Sequence, residues 1–247
     1  MCFNQQIAGI FTVVGFLLAL YVKIFFMKKD EHAWRLFYGI LYFTSMELLQ
    51  FVQYFWVDQC DNMWNQILTI VGILHICFQP VFSNLMASYD KPQKHRRLFD
   101  TFVRPLTIIG GLFLASKLFF YDFSPCDPLV EPLCGERTCT FYGAVHFVWH
   151  AKLRAPNYFT PGAFLHAFLM FVPPLIMKNT FSSLGLLITG PLLGWYLSRG
   201  HSEWATIWCF WSIVQNVISI CLCLPRPSKL DNFLQLRRAK EKKEKLD

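Results

Sequence analysis

Apolar residues in this chain are gathered into blocks at 7–26, 34–56, 67–87, 102–121, 161–177, 184–197 and 204–224. A helix needs about 20 such residues to cross the hydrocarbon of a bilayer. Backbone at that depth must satisfy its own hydrogen bonds, which favours helices whose bonds are all internal. The expected fold is therefore all-α, a polytopic bundle of about seven transmembrane helices. Composition agrees, because only 16% of residues are charged and 54% are hydrophobic, whereas a soluble domain carries about a quarter charged residues. That balance excludes disorder and argues against a soluble enzyme.

The fifth and sixth blocks are interrupted, by Pro173 and Pro174 in one and by Gly190, Pro191 and Gly194 in the other. Such breaks are tolerated in membrane helices where neighbouring protein or water answers the freed carbonyls. Both helices are accordingly expected to face the bundle interior.

Lysine and arginine set the orientation, because basic residues are retained on the cytosolic side. One side collects Lys28, Lys29 and Arg35, then Lys91, Lys94, Arg96, Arg97 and Arg104, then Lys178 and the basic tail from Arg226 onward. The other has only Arg137, Lys152, Arg154 and Arg199. The N-terminus is thus expected in the lumen and the C-terminus in the cytosol. The chain divides on this reading into a membrane domain, 1–224, with a lumenal loop at 122–160, and a cytosolic tail, 225–247. No basic n-region or small-residue cleavage pattern accompanies the first block, so it is expected to stay as an anchoring helix. Topology explains the basic residues, and nucleic-acid binding is not expected.

Cys60, Cys126, Cys134 and Cys139 all fall on the lumenal side, where disulfides persist. Two bridges with three pairings are open to them, with Cys2 left over. Cys77, Cys209, Cys221 and Cys223 fall in or beside spans and are expected only to pack.

The tail begins amphipathically, with Leu230, Phe233, Leu234 and Leu236 among its charges, and its basic residues suit anionic membrane lipids. Its last residues, Lys243-Glu244-Lys245-Leu246-Asp247, resemble the dilysine retrieval signal. That resemblance implies residence in the endoplasmic reticulum membrane, with a coat-protein contact at Lys243 and Lys245.

Ionisable groups at bilayer depth are functional candidates by default. Glu47 lies in the second block, and Thr44, Gln50 and Tyr54 share its helical face, which must point inward. In the third, Gly72, His75, Gln79 and Ser83 form a matching stripe, with Pro80 freeing the Ile76 carbonyl. Ser212, Gln215, Asn216 and Ser219 pattern the last block, and His166 lies in the fifth. Glu47, His75 and His166 are the expected catalytic groups. Gln50, Gln79 and Gln215 are the expected groups for holding a bound molecule. A carboxylate beside an imidazole could act as general base, proton relay or ligand to zinc or iron. His146 and His150 would share a helical face in the apolar stretch 141–150, expected at the interface or re-entrant. Lys117 is expected to snorkel toward headgroups.

No lysine lies in the last block, which excludes microbial retinal proteins. No histidine lies there either, which separates the chain from the alkaline ceramidase and adiponectin-receptor group, although His75 is reminiscent of one of its zinc ligands. The function expected is a membrane enzyme acting on a lipid or other hydrophobic substrate. The alternatives are a proton-coupled transporter and a non-catalytic scaffold or receptor.

Overall fold

The computed structural model describes residues 4–119, 126, 131–153, 163–177, 180–198 and 203–223. It divides into two units, Met1–Gln215 and Asn216–Asp247, and the fold and site below belong to the first. The chain is mostly helical. Helix α1 spans Gln5–Tyr21 and runs on through a π-turn, Val22–Phe26; α2 spans Trp34–Gln53 and α3 Met63–Ala87. Helix α4, Gln93–Leu98, continues through a π-turn, Phe99–Val103, into α5, Arg104–Ser116. A hairpin follows, β1 Cys139–Tyr142 and β2 Phe147–His150. Then come α6 (Ala163–Ile176), α7 (Thr180–Leu187), the π-turn Ile188–Leu192, α8 (Leu193–Leu197) and α9 (Trp204–Cys223). Three helical stretches among the described residues, Gln5–Phe26, Met63–Ala87 and Gln93–Ser116, are long and apolar enough to cross a membrane.

The starts of α1 and α3 carry side-chain caps. Asn4 Oδ1 accepts from the Ile7 amide at 3.1 Å and Asn62 Oδ1 from the Trp64 amide at 2.9 Å, answering amides that a helix start leaves without partners. Helix α3 is the hub, packing on α2, α5 and α6. Gly111 permits its close approach to α5: a Cβ there would sit 2.9 Å from the Cys77 carbonyl.

Prolines inside helices free the carbonyl four residues back, and side chains from neighbouring helices answer two of these. Pro173 frees Leu169, whose carbonyl accepts from Asn84 Nδ2 of α3 at 2.8 Å. Pro80 frees Ile76, whose carbonyl bonds to His166 of α6. Helices α3 and α6 thus repair one another, so each break also fixes the register of a packing contact.

At one end of the bundle Arg35 is buried between α2 and the π-turn before α5. It donates to Asp100 Oδ2 at 2.6 Å and Ser88 Oγ at 3.0 Å, with the Trp34 and Phe99 rings over its guanidinium. A planar fork with several fixed donors suits such a junction.

The hairpin plugs the opposite end of α2 and α3. Its strands pair Cys139 with His150 through Tyr142 with Phe147, and Phe147 and Trp149 are completely buried. Asn65 of α3 clamps β1 from both directions: Nδ2 donates to the Thr140 carbonyl at 2.7 Å, and Oδ1 accepts from the Thr140 amide at 2.8 Å. Gln53 Oε1 accepts from Trp149 Nε1 at 3.1 Å. From α9, Thr206 Oγ1 donates to the Phe147 carbonyl at 2.6 Å, and Glu203 Oε1 accepts from the Val145 amide at 2.9 Å. Asp58 takes a left-handed conformation, φ 66°, in the α2–α3 loop, a region Asp tolerates better than most residues. It is tied to β1 at two points: its amide donates to the Thr140 carbonyl, and its carboxylate accepts from the Tyr142 amide.

Two expectations are corrected here. Stretch 141–150 is a buried hairpin, not an interfacial helix, so His146 and His150 do not share a helical face. His146 is buried toward α2, while His150 packs edge-on against Phe141 at 4.7 Å. Aromatic and β-branched residues on both sides of Gly143 favour strands. Lys117 does not snorkel: it is buried in an ion pair with Glu131. The cysteines pair as Cys60–Cys139 and Cys126–Cys134, choosing one of the three open pairings.

Candidate functional site

The polar face of α2 points inward as its spacing requires. Thr44, Glu47 and Gln50 are wholly buried. Thr44 returns its hydroxyl to the Ile40 carbonyl at 2.7 Å and so is spent within its own helix. Glu47 is different. The Ser212 hydroxyl of α9 lies beside it, yet no hydrogen bond closes on either carboxyl oxygen or on that hydroxyl among the described residues. One turn on, Gln50 Oε1 accepts from His146 Nε2 at 3.3 Å, and the Tyr54 hydroxyl donates to His146 Nδ1 at 3.0 Å. The Gln50 Nε2 amide has no partner among the described residues.

A cavity of about 110 Å³ opens among α3, α5, α6, α9 and the loop before the hairpin. Its walls are mainly apolar, with Cys77 of α3 and Cys209 of α9 facing it. Four polar side chains interrupt them. His166 and Gln79 are buried, with His166 Nε2 and Gln79 Oε1 unpartnered among the described residues. The Lys117–Glu131 pair closes the loop side. Trp208 stands edge-on to His166 at 5.4 Å and stacks on Phe171 at 6.0 Å. The combination of a mostly apolar chamber and a few convergent polar groups is the usual form of a small-molecule site. Glu47 is not among the residues that line the cavity.

Residues 6–228 match a family model whose description is Family of unknown function (DUF5765). The chain belongs to this family. No curated protein and no solved structure matches it. The family region runs from α1 through α9, so the α2 face, the hairpin and the cavity all lie within it.

His75 does not join Glu47. Its Nε2 lies 2.8 Å from the Tyr42 carbonyl and 3.2 Å from Ser45 Oγ, its ring stacks on Tyr42 at 3.8 Å, and the Tyr42 hydroxyl donates to the His75 carbonyl. At 3.6 residues per turn, Tyr42 and Ser45 sit across α2 from Glu47. The expected pair is therefore divided between two faces of one helix. His166 and Gln79 do converge, on the cavity. The side chains of Gln215 and Ser219 lie outside the described residues. Among the described residues no three of His, Cys, Asp or Glu gather to hold a metal ion.

Sequence reasoning missed the Lys117–Glu131 and Arg35–Asp100 pairs, because each joins residues whose proximity only packing creates. It assigned Cys77 and Cys209 to plain packing, whereas both line the cavity. The hairpin had a legible signal in its aromatic runs around Gly143. A search for helical spacing passes over it.

Burial holds the His146 imidazole neutral and pushes its pKa down from 6.5 to about 3, since removal from water penalises the charged form. His150, half-buried, is lowered in the same direction for the same reason. In both cases the unfolded chain takes up a proton before the folded one. The stability contributed by neutral His146 is complete above the unfolded pKa and is lost as pH falls from 6.5 toward 3. The expected loss between pH 7 and pH 5 is about 2 kcal/mol. Thermal unfolding of the purified chain across that range checks it, with His146→Gln expected to flatten much of the profile. An unchanged slope in that variant sinks the assignment.

Proposed function

We propose that the chain is a multi-pass protein of the endoplasmic reticulum membrane, with about seven spans and a lumenal N-terminus. It takes a lipid or other hydrophobic molecule into the cavity and modifies it there, with His166 and Glu47 as its acid–base groups. The observation that carries this reading is the mainly apolar chamber with the unpartnered His166 Nε2 in its wall. Rows of large apolar side chains left exposed on α1 (Ile10, Val13, Leu17) and α5 (Ile109, Leu112, Phe113) support a lipid surround. The two disulfides suit an oxidising lumen. His75, committed to Tyr42 and Ser45, is assigned no step. The compartment is read by microscopy of a tagged full-length chain, and a plasma-membrane signal counts against it.

The test is mass spectrometry of lipids extracted from protein purified in nanodiscs. A species enriched over the bulk membrane is expected with the unaltered chain and with Glu47→Gln. It should be lost with Ala205→Phe, which fills the cavity from α9. Conversion of that species over time by the unaltered chain alone is the expected mark of an enzyme. Absence of any enriched species overturns the reading.

A proton-coupled carrier is the second reading, favoured by the succession of buried Glu47, Gln50 and His146 with half-buried Tyr54 along α2 and the hairpin. Proton uptake by proteoliposomes that follows solute entry and vanishes in Glu47→Gln would put it first.

A further inference from the structure

An ion pair stands in the wall of an otherwise mainly apolar chamber. Lys117, just past the end of α5, and Glu131, in the loop before the hairpin, are both buried, and both line the cavity. A buried pair gains little over apolar side chains of the same shape, so bracing the loop is a weak reason for two charges there. The chamber, about 110 Å³, is several times the roughly 10–15 Å³ that one water needs, and so has room for an organic guest. A primary amine shut in an apolar site beside a proton acceptor is the usual setting of an imine-forming lysine. On the reading that the cavity admits a hydrophobic molecule, the pair selects a chemical class of guest.

Charge narrows the choice. An ionic head group would add an unpaired charge to the chamber or displace one partner of the pair, and either leaves a buried charge unanswered. An ester would turn Lys117 into an amide that water does not readily reverse, consuming the site at its first encounter. An alcohol or an alkane offers Nζ no electrophile. An aldehyde enters uncharged and condenses without changing the charge of the wall. Glu131 takes a proton from the ammonium, and the freed Nζ lone pair attacks the carbonyl carbon, whose π electrons pass to oxygen. A proton moves from nitrogen to that oxygen, giving a neutral carbinolamine. Glu131 returns its proton to the hydroxyl as the C–O bond breaks and water leaves, while the nitrogen lone pair closes the C=N bond. The product is a protonated imine facing an ionised Glu131, so one cation–carboxylate pair has replaced another. We propose that the cavity binds a hydrophobic aldehyde, held by Lys117 as a protonated imine with Glu131 as proton carrier and then counter-ion.

The experiment uses the full chain in nanodiscs and two diazirine photoprobes of one chain length, an aldehyde and the matching alkane. Cyanoborohydride reduces the imine to a stable secondary amine, which peptide mass spectrometry locates. The adduct is expected at Lys117 at least about tenfold above the exposed Lys28 and Lys94, because a carbonyl held beside the amine reacts as if at high concentration. Without reductant, the aldehyde is expected to photolabel α6 and α9 peptides about tenfold more strongly than the alkane. Lys117→Arg keeps a cation opposite Glu131 but removes the primary amine, and should bring the aldehyde down to the level of the alkane. The adduct map of the unaltered chain decides the matter even if that variant does not fold. Photolabelling by both probes without excess adduct at Lys117, or an aldehyde preference that survives Lys117→Arg, overturns the imine and leaves the cavity reading standing. Photolabelling by neither probe overturns both this proposal and the function it rests on.

Discussion

Replacing Cys60 or Cys139 by serine is expected to lower stability by about 4–5 kcal/mol, and replacing Cys126 or Cys134 by only about 2–3 kcal/mol. The difference follows from loop closure. Cys60–Cys139 joins positions 79 apart and Cys126–Cys134 positions 8 apart, and the longer loop removes more freedom from the unfolded chain. The long bridge has a further role in the fold, because Cys139 opens β1 and is buried, next to the Thr140 that Asn65 clamps. Its loss frees the edge of the hairpin that caps α2 and α3. Denaturant unfolding of the four single variants, with the reduced parent as reference, checks the ranking. Equal losses for both pairs would mean that loop length is not what matters.

Lys117→Met is expected to lose about 3–5 kcal/mol, because it leaves a buried carboxylate without its cation. Glu131 is only 5% exposed and Lys117 only 4%, so water cannot take over for the missing partner. Adding Glu131→Gln should recover most of the loss, since the remaining polar group is then neutral. Two opposite charges brought out of water gain little over a neutral pair, whereas one alone is strongly unfavourable. Melting temperatures of both single variants and the double variant form the test. A double variant as unstable as the sum of the singles shows that the two charges do not act as a pair.

Much of the helical framework was legible in the chain. A block of apolar residues cannot leave its backbone unbonded, and the inward face of α2 followed from the spacing of Thr44, Glu47 and Gln50. The need for partners at the proline-freed carbonyls was legible too. The identity of those partners was not: nothing in the spacing of Asn84 or His166 says that α3 and α6 cross where each completes the other. The same limit separated Glu47 from His75. Similar position along two helices is a one-dimensional expectation, and rotation about the α2 axis overrides it, sending Glu47 toward α9 and leaving His75 against Tyr42 and Ser45.

Three features were legible in the chain alone: its mostly helical character, the inward turn of Thr44, Glu47 and Gln50 on α2, and a set of four cysteines able to make two bridges. These are properties of composition and period, carried by residues near one another along the chain. Packing settled the cysteine pairing, the hairpin plug, the burial of Lys117 against Glu131, and the meeting of His166, Gln79 and Trp208 around one cavity. Each of these joins segments far apart in the chain, and their contacts depend on how whole helices rotate and pack, which no local pattern encodes.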